Sequence, residues 1–256
     1  MLKVNGIKFS YTNKEFIKDL SVNFPKGEIT TILGPNGSGK STLLSLACGL
    51  NKVKGGKIFI EGNNITKLKY KDIAKIVATV HQQNSVPSDI TVRDLVSYGR
   101  LPFKKRFEQI NNDDDEIINW ALKETGLEGM EDSLVMSMSG GERQRVFIAM
   151  ALVQKPKILF LDEPTTYLDI YHQIEILELV QRLNRENKTT IIMVLHDINQ
   201  AIKYSDNIVV MKNGAIIGEG KSDEVVNEDL IKRVYGVSGT MGMVNGEAYY
   251  VAERIS

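Results

Sequence analysis

Gly34, Pro35, Asn36, Gly37, Ser38, Gly39, Lys40 and Ser41 follow the pattern G-x-x-x-x-G-K-[ST]. An apolar stretch from Ile29 to Leu33 precedes them and another, from Thr42 to Leu50, follows, so the order reads strand, loop, helix. The chemistry such a loop performs is phosphate capture. Its glycines let successive backbone N–H groups turn inward around an anion. The helix that follows presents its positive end to the same place. Lys40 is long enough to reach β- and γ-phosphates, and the Ser41 hydroxyl suits a Mg²⁺ ion. The combination predicts a nucleoside triphosphate site.

Two further segments carry groups that could act on that nucleotide. Asp162 and Glu163 end the apolar run Ile158-Leu159-Phe160-Leu161. A carboxylate at such a strand end can complete a Mg²⁺ shell, which suits Asp162, and a second can orient and deprotonate a water, which suits Glu163. Ser139-Gly140-Gly141-Glu142 stands directly before an apolar helical run. Ser139-x-x-Glu142 reads as a capping box. Two glycines at a positive helix end also read as a second anion cradle, roughly a hundred residues from the first.

The elements that must position these groups are legible from periodicity. Leu2, Val4, Ile7, Phe9 and Tyr11 nearly alternate with polar residues, as do Leu20, Val22 and Phe24, and Lys57 to Gly62 reads the same way. These are expected as antiparallel strands. Residues from about 91 to 153 read as helical, with Thr91-x-x-Asp94 as a capping box and Asp113-Asp114-Asp115-Glu116 capping the helix that carries Ile117, Ile118, Ala121 and Leu122. Lys157 to Asp162 and Thr190 to Leu195 read as strands of a sheet covered on both faces. Between them Ile170, Ile174, Leu177, Val180 and Leu183 form a helical stripe expected to be core packing. Lys212-Asn213-Gly214-Ala215 is a hairpin signal. Together they predict a doubly wound α/β core with an inserted helical lobe.

Composition narrows the function classes. The 32 Lys and Arg balance 32 Asp and Glu, so no electrostatic footprint of a nucleic-acid binder is present. Cys48 is the only cysteine, which excludes an internal disulfide and reads as a small buried filler. The longest unbroken apolar run, Val146 to Val153, is too short to span a bilayer. The start of the chain lacks the form of a signal peptide, so a cytosolic chain is expected, with any membrane role supplied by a partner.

From about residue 3 to about residue 235 the chain resembles the ATP-binding subunits of ABC transporters, in motif order as well as motif content. Gly34 to Ser41 resembles their Walker A loop, Ile158 to Glu163 their Walker B strand, and Ser139-Gly140-Gly141 their signature. The resemblance implies one ABC ATP-binding domain, an α/β P-loop NTPase core with an antiparallel β subdomain and an inserted α-helical signature subdomain. Its parts would be residues 1–85 and 155–220 for the nucleotide core and β subdomain, 86–154 for the helical subdomain, and 221–256 for a C-terminal helix and tail. It implies that Tyr11 stacks on adenine, that the loop with Thr42 after it binds nucleotide, and that Gln82 of the Q-loop senses Mg²⁺ and water. Gln83 is its adjacent alternative. Asp169 matches the D-loop aspartate, and His196 the switch histidine that contacts the γ-phosphate. His81 and His172 have no such context and read as structural or exposed. ATP and Mg²⁺ are the implied cofactors. A homodimer would sandwich ATP, the Ser139 turn of one chain facing the phosphate loop of the other. Met138, Tyr167 and Val80-His81 depart from the usual family residues without removing a reacting group.

Asp94-Leu95-Val96-x-x-Gly99-Arg100-x-Pro102, Leu168-Asp169-Ile170-x-x-Gln173, His196-Asp197-Ile198-Asn199-x-Ala201 and Tyr235-Gly236-Val237 are similar to one branch, the importers of ferric siderophores, haem and cobalamin. That branch implies transmembrane permease subunits, an extracytoplasmic substrate-binding protein reached through the complex, and a peripheral place on the cytoplasmic side of the cell membrane. No nucleic acid is implied. A soluble ABC ATPase of iron–sulfur cluster assembly and an importer ATPase for another metal or small solute carry the same ATPase residues and stay open at this point. DNA-repair ATPases of similar signature need long coiled coils between the Walker segments, and no sustained heptads occur here. The stretch after Gly236 is short and mixed and suggests no role.

Overall fold

The computed structural model describes residues 1–255 except 13, 14, 83, 106, 107 and 109. Gln83, the alternative to Gln82, therefore lies outside the described residues. The chain opens on antiparallel strands β1 (Leu2–Phe9) and β2 (Ile17–Phe24). The out-of-phase step from Val4 to Ile7 is a bulge: Gly6 takes φ +55° and the pairing of β1 with β2 shifts register there. Then come β3 (Ile29–Leu33), α1 (Lys40–Ala47), β4 (Gly55–Ile60) and the short β5 (Asn63–Asn64). Strands β2, β1, β4 and β5, in that order, form a four-stranded antiparallel sheet.

After α2 (Tyr70–Ile73) and β6 (Val77–Val80) the chain builds a helical layer of α3 (Val92–Ser97), α4 (Asn112–Glu124) and α5 (Gly140–Leu152). It returns through β7 (Ile158–Asp162), α6 (Ile170–Asn187), β8 (Thr190–Val194), α7 (Ile198–Tyr204), β9 (Asn207–Lys212) and β10 (Ala215–Lys221). The second sheet is six-stranded, ordered β10-β9-β3-β8-β7-β6. All its pairs are parallel except the β9–β10 hairpin. The sheet's central strands β3, β7 and β8 are buried on both faces. Ile158 and Phe160 of β7 join a core shared with α1 and the antiparallel sheet, while Leu159 and Leu161 between them join a core shared with α5 and α6. Period-2 side chains sandwiched between two apolar layers account for the unbroken apolar runs of β7 and β8.

The chain ends in α8 (Ser222–Val225), α9 (Glu228–Tyr235) and a two-stranded hairpin of β11 (Val237–Val244) and β12 (Glu247–Ile255). The hairpin is fastened to α7 by the Asn199 amide, which donates to Tyr250 O at 3.1 Å and accepts from Tyr250 N at 2.7 Å. Among the described residues no helix is long and apolar enough to cross a membrane.

One expectation changes. Leu177, Val180 and Leu183 are buried in the core, but Ile170 and Ile174 are 75% and 40% exposed. The reason is length. An 18-residue helix is about 27 Å long, and its five-residue neighbours β7 and β8 span only about 17 Å. The first turns of α6 thus overhang the strand ends. The acidic run opens α4 as expected, with Asp113, Asp114 and Asp115 in its first turn; the N-cap itself is Asn111, whose side chain accepts from Asp114 N while the Asp114 carboxylate accepts from Asn111 N. Asp114 also turns inward, paired with Arg100 and Lys104. Thr91 caps α3 as expected, accepting from Asp94 N at 3.1 Å. Cys48 is buried.

Candidate active site

The phosphate loop joins the carboxyl end of β3 to α1, in the middle of the parallel sheet. Its shape is set by backbone that only glycine accepts cheaply. Gly34 has φ +152°, and a Cβ there would stand 2.2 Å from Met211 O; Gly39 has φ +105° and packs on the Phe16 ring. The loop closes on itself through Ser38 N to Pro35 O at 3.1 Å and is propped by Gly214 N to Ser38 O at 2.8 Å. Gly39 occupies the N-cap of α1, and no side chain caps that helix. Its leading N–H groups are left for an anion. Lys40 is buried, with Nζ donating to Gly34 O at 2.8 Å and Pro35 O at 3.2 Å. Burial lowers its pKa, against the pull of Glu163 and Asp162. Ser38 Oγ is buried without a hydrogen-bond partner. An uncapped helix end, a buried ammonium and an orphaned hydroxyl around one turn form a cradle that fits phosphate oxygens.

The cavity at this loop is lined by Tyr11, Phe16, Asn36, Gly37, Gly39, Lys40, Ser41, Thr42 and Glu163. Tyr11 is 66% exposed, stands edge-on to Phe9 at 4.8 Å, and its hydroxyl is 2.7 Å from Thr42 Oγ1. Ser41 Oγ donates to Asp162 Oδ1 at 3.0 Å. That pair offers two hard oxygens beside the cradle, the donor type a small divalent cation prefers. Burial raises the Asp162 pKa, with Ser41 acting the other way and adjacent Glu163 adding to the rise. A cation would reverse that penalty by compensating the buried charge.

Glu163 follows β7 with φ +53°, strained backbone for a residue with a side chain. Three groups hold its carboxylate: His196 Nε2 lies 2.6 Å from Oε1, Thr166 Oγ1 donates to Oε2 at 3.1 Å, and Gln82 Nε2 also donates to Oε2. His196 reaches it from just past β8, where buried Leu195 and the Asp197 cap on α7 fix the turn. Lys40, Ser41, Gln82, Asp162, Glu163 and His196 therefore converge, although they are scattered over more than 150 residues of sequence.

Ser139, Gly140 and Gly141 are not among the residues lining that cavity. Their capping box is formed: Ser139 N and Oγ both donate to Glu142 Oε2, at 2.8 and 2.7 Å, and Glu142 N returns to Ser139 Oγ at 3.3 Å. Asp169 caps α6, accepting from His172 N at 3.0 Å, and takes no part in the Glu163 cluster. His81 is exposed. Sequence reasoning missed the Tyr235 hydroxyl, buried against the Gly34 backbone, with a pKa that burial pushes up to about 12. Its only signal was its place in Tyr235-Gly236-Val237. It also missed Gly214, which props the phosphate loop from the hairpin.

Comparison with known proteins adds identity to this geometry. Residues 17–166, more than half of the chain, match the family described as ABC transporter. The petrobactin import ATP-binding protein FpuC of Bacillus anthracis is 43% identical over all of this chain and 94% of its own length. The iron(3+)-hydroxamate import ATP-binding protein FhuC of Bacillus subtilis strain 168 is 44% identical over 92% of this chain and 88% of its own. Among solved structures, the dimeric post-hydrolysis state of an ATP-binding cassette bound to ADP and Pi superposes with a TM-score of 0.75. It is 29% identical and covers 87% of this chain and 99% of that one.

Proposed function

The chain belongs to the ABC transporter family as an ATP-binding subunit, and on that premise we propose that its Glu163 cluster hydrolyses ATP to drive import of an iron(III)–siderophore through membrane permeases. Subunits of this kind are ATPases coupled to transport. The observation that carries the proposal is the convergence of His196, Gln82 and Thr166 on Glu163 beside Lys40 and Ser41. The cargo class rests on the relatives named for petrobactin and iron(3+)-hydroxamate import, which favours import over cluster assembly.

In this reading Lys40 leaves the carbonyls of Gly34 and Pro35 for the β- and γ-phosphates, and the open end of α1 supplies N–H groups to the same oxygens. Ser41 and Asp162 would hold Mg²⁺, which would supply charge neutralisation to the phosphates. Glu163 takes a proton from a water aimed at the γ-phosphorus. His196 and Gln82, already on that carboxylate, orient it and exchange partners as the γ-phosphate arrives. Tyr11 offers the adenine a ring face. The Ser139 turn, outside the cavity of its own chain, meets the γ-phosphate bound by a second copy, so the working unit is a homodimer on the cytoplasmic face of the membrane. An extracytoplasmic binding protein delivers the chelate to the permeases.

The test is Glu163→Gln. A general base contributes about 10²–10⁴-fold, so kcat falls by that range while ATP binding persists. Hydrolysis at the parent rate removes Glu163 from the role. Uptake of ⁵⁵Fe-labelled hydroxamate in cells carrying only Glu163→Gln tests the cargo class; uptake at the level of the parent chain rejects it.

A further inference from the structure

Gly141 is a glycine without a backbone reason to be one. It lies in the first turn of α5 and is absent from the positive-φ glycines among the described residues. Alanine accepts that conformation and is favoured over glycine in a helix interior by about 1 kcal/mol. A side chain is excluded by one neighbour. A Cβ on Gly141 would stand 2.7 Å from both Cγ and Nδ1 of His172 and 3.1 Å from its Cβ.

His172 cannot easily retreat. Its backbone N–H donates to Asp169 Oδ1 at 3.0 Å, which fixes the main chain, and its ring Nδ1 is 3.1 Å from Glu175 Oε2. Glu175 in turn pairs with Arg145, which stands on α5 itself. The Tyr171 ring stands edge-on to the imidazole at 5.3 Å. Beside this contact Gly140 faces Leu168, which a Cβ would meet at 3.3 Å. The Ser139–Gly141 turn is thereby seated on the segment running from Leu168 into α6, with the imidazole as the wall behind it.

We infer that His172 is a positioning residue for ATP hydrolysis: its ring sets where the Ser139–Gly141 turn stands, acting through Gly141. The inference rests on the proposed role of that turn at the γ-phosphate of a second copy. It separates two reasons for the glycine. If the imidazole imposes it, removing the imidazole makes room for a Cβ. If close approach of a phosphate imposes it, removing the imidazole changes nothing.

The experiment uses the full chain and compares Gly141→Ala, His172→Ala, His172→Phe, the Gly141→Ala/His172→Ala pair and Ser139→Ala, each with its thermal melt, kcat and ATP KM. His172→Ala is expected to lower kcat about tenfold with KM little changed, because the phosphate loop is untouched. His172→Phe keeps the ring wall and stays within about threefold of the parent. Gly141→Ala loses activity, and the pair recovers to the level of His172→Ala alone. If Gly141→Ala fails to fold, recovery of folding in the pair supports the contact and the two single His172 variants decide the positioning role. A pair that folds and stays as inactive as Gly141→Ala overturns the inference, as does His172→Ala at the parent kcat. Ser139→Ala isolates the premise: parent activity there rejects the role of the turn, and the inference with it. Loss of activity in Ser139→Ala with no rescue in the pair rejects the inference alone.

Discussion

Glu163 is tethered through both carboxylate oxygens before any nucleotide arrives, to His196 on one and to Gln82 and Thr166 on the other. In the proposed role of general base, a carboxylate held this way is oriented but not free, and its release would be coupled to the arrival of the γ-phosphate. Tyr11 has the opposite character, with a mostly exposed ring and a hydroxyl anchored on Thr42. Its proposed contribution is to nucleotide binding. Tyr11→Ala is expected to raise the ATP KM several-fold, roughly 1 kcal/mol of stacking, with kcat within about twofold of the parent. Initial rates across an ATP series check this, and an unchanged KM removes the stacking role. Lys40, Ser41, Asp162 and Glu163 stood out in the sequence because phosphate-loop chemistry ties residue type to the order of strand, loop and helix, whereas Gln82 and His196 were named only through the family resemblance. His172 was not legible, since what matters about it is a contact with Gly141 across the fold, and no local pattern encodes that.

Elements with a local code were readable in the same way. Asn213 and Gly214 both take positive φ, +50° and +76°, the pair of conformations a two-residue hairpin turn demands. The β11–β12 hairpin carries the same turn code, Asn245 at φ +52° and Gly246 at φ +83° between the paired Val244 and Glu247, but Gly239, Gly242 and Met243 blur the alternation of its strands. Its place is fixed by Asn199 and Tyr250. The helical layer hides an ion cluster read only as a helix cap. The Asp114 side chain, 4% exposed, joins α4 to Arg100 and Lys104, and Arg100 Nη1 donates to Val153 O at the end of α5 at 2.7 Å. Burial pushes the Asp114 pKa up, but bonds from Lys104 and Arg100 outweigh it and bring the value down to about 2. A depressed carboxyl stabilises above its unfolded value, near 3.9, and loses that contribution as pH falls toward 2. The contribution is about 2 kcal/mol, discharged mostly between about pH 5 and pH 2. Asp114→Asn should cost on the order of 3–5 kcal/mol at neutral pH by stranding two buried cations. It should also flatten this part of the acid profile. Urea titrations at pH 7, 5 and 3 would show both; an acid profile identical to the parent's would count against the cluster.

At the scale of the whole molecule, the phosphate loop and the Ser139 turn belong to one chain but not to one cavity. On the proposed homodimer, size-exclusion chromatography of Glu163→Gln should shift from monomer to dimer only with ATP and Mg²⁺. A monomer in all conditions, repeated with co-expressed permeases present, would argue against the sandwich. The exposed apolar residues Tyr167, Ile170, Tyr171 and Ile174 line the overhanging start of α6 next to that turn, and the expectation of core packing failed there because helical spacing records that a face is apolar but not what covers it. The separation of loop and turn also carries a genetic consequence. When each of two catalytic centres borrows one half from either subunit, a lesion in Lys40 and a lesion in Ser139 are not equivalent to two lesions in the same gene copy. In a mixed dimer one centre collects both defects and the other receives neither. Two individually defective alleles would then complement one another: with random pairing about half of the dimers are mixed, each with one intact centre, so about a quarter of all centres would survive.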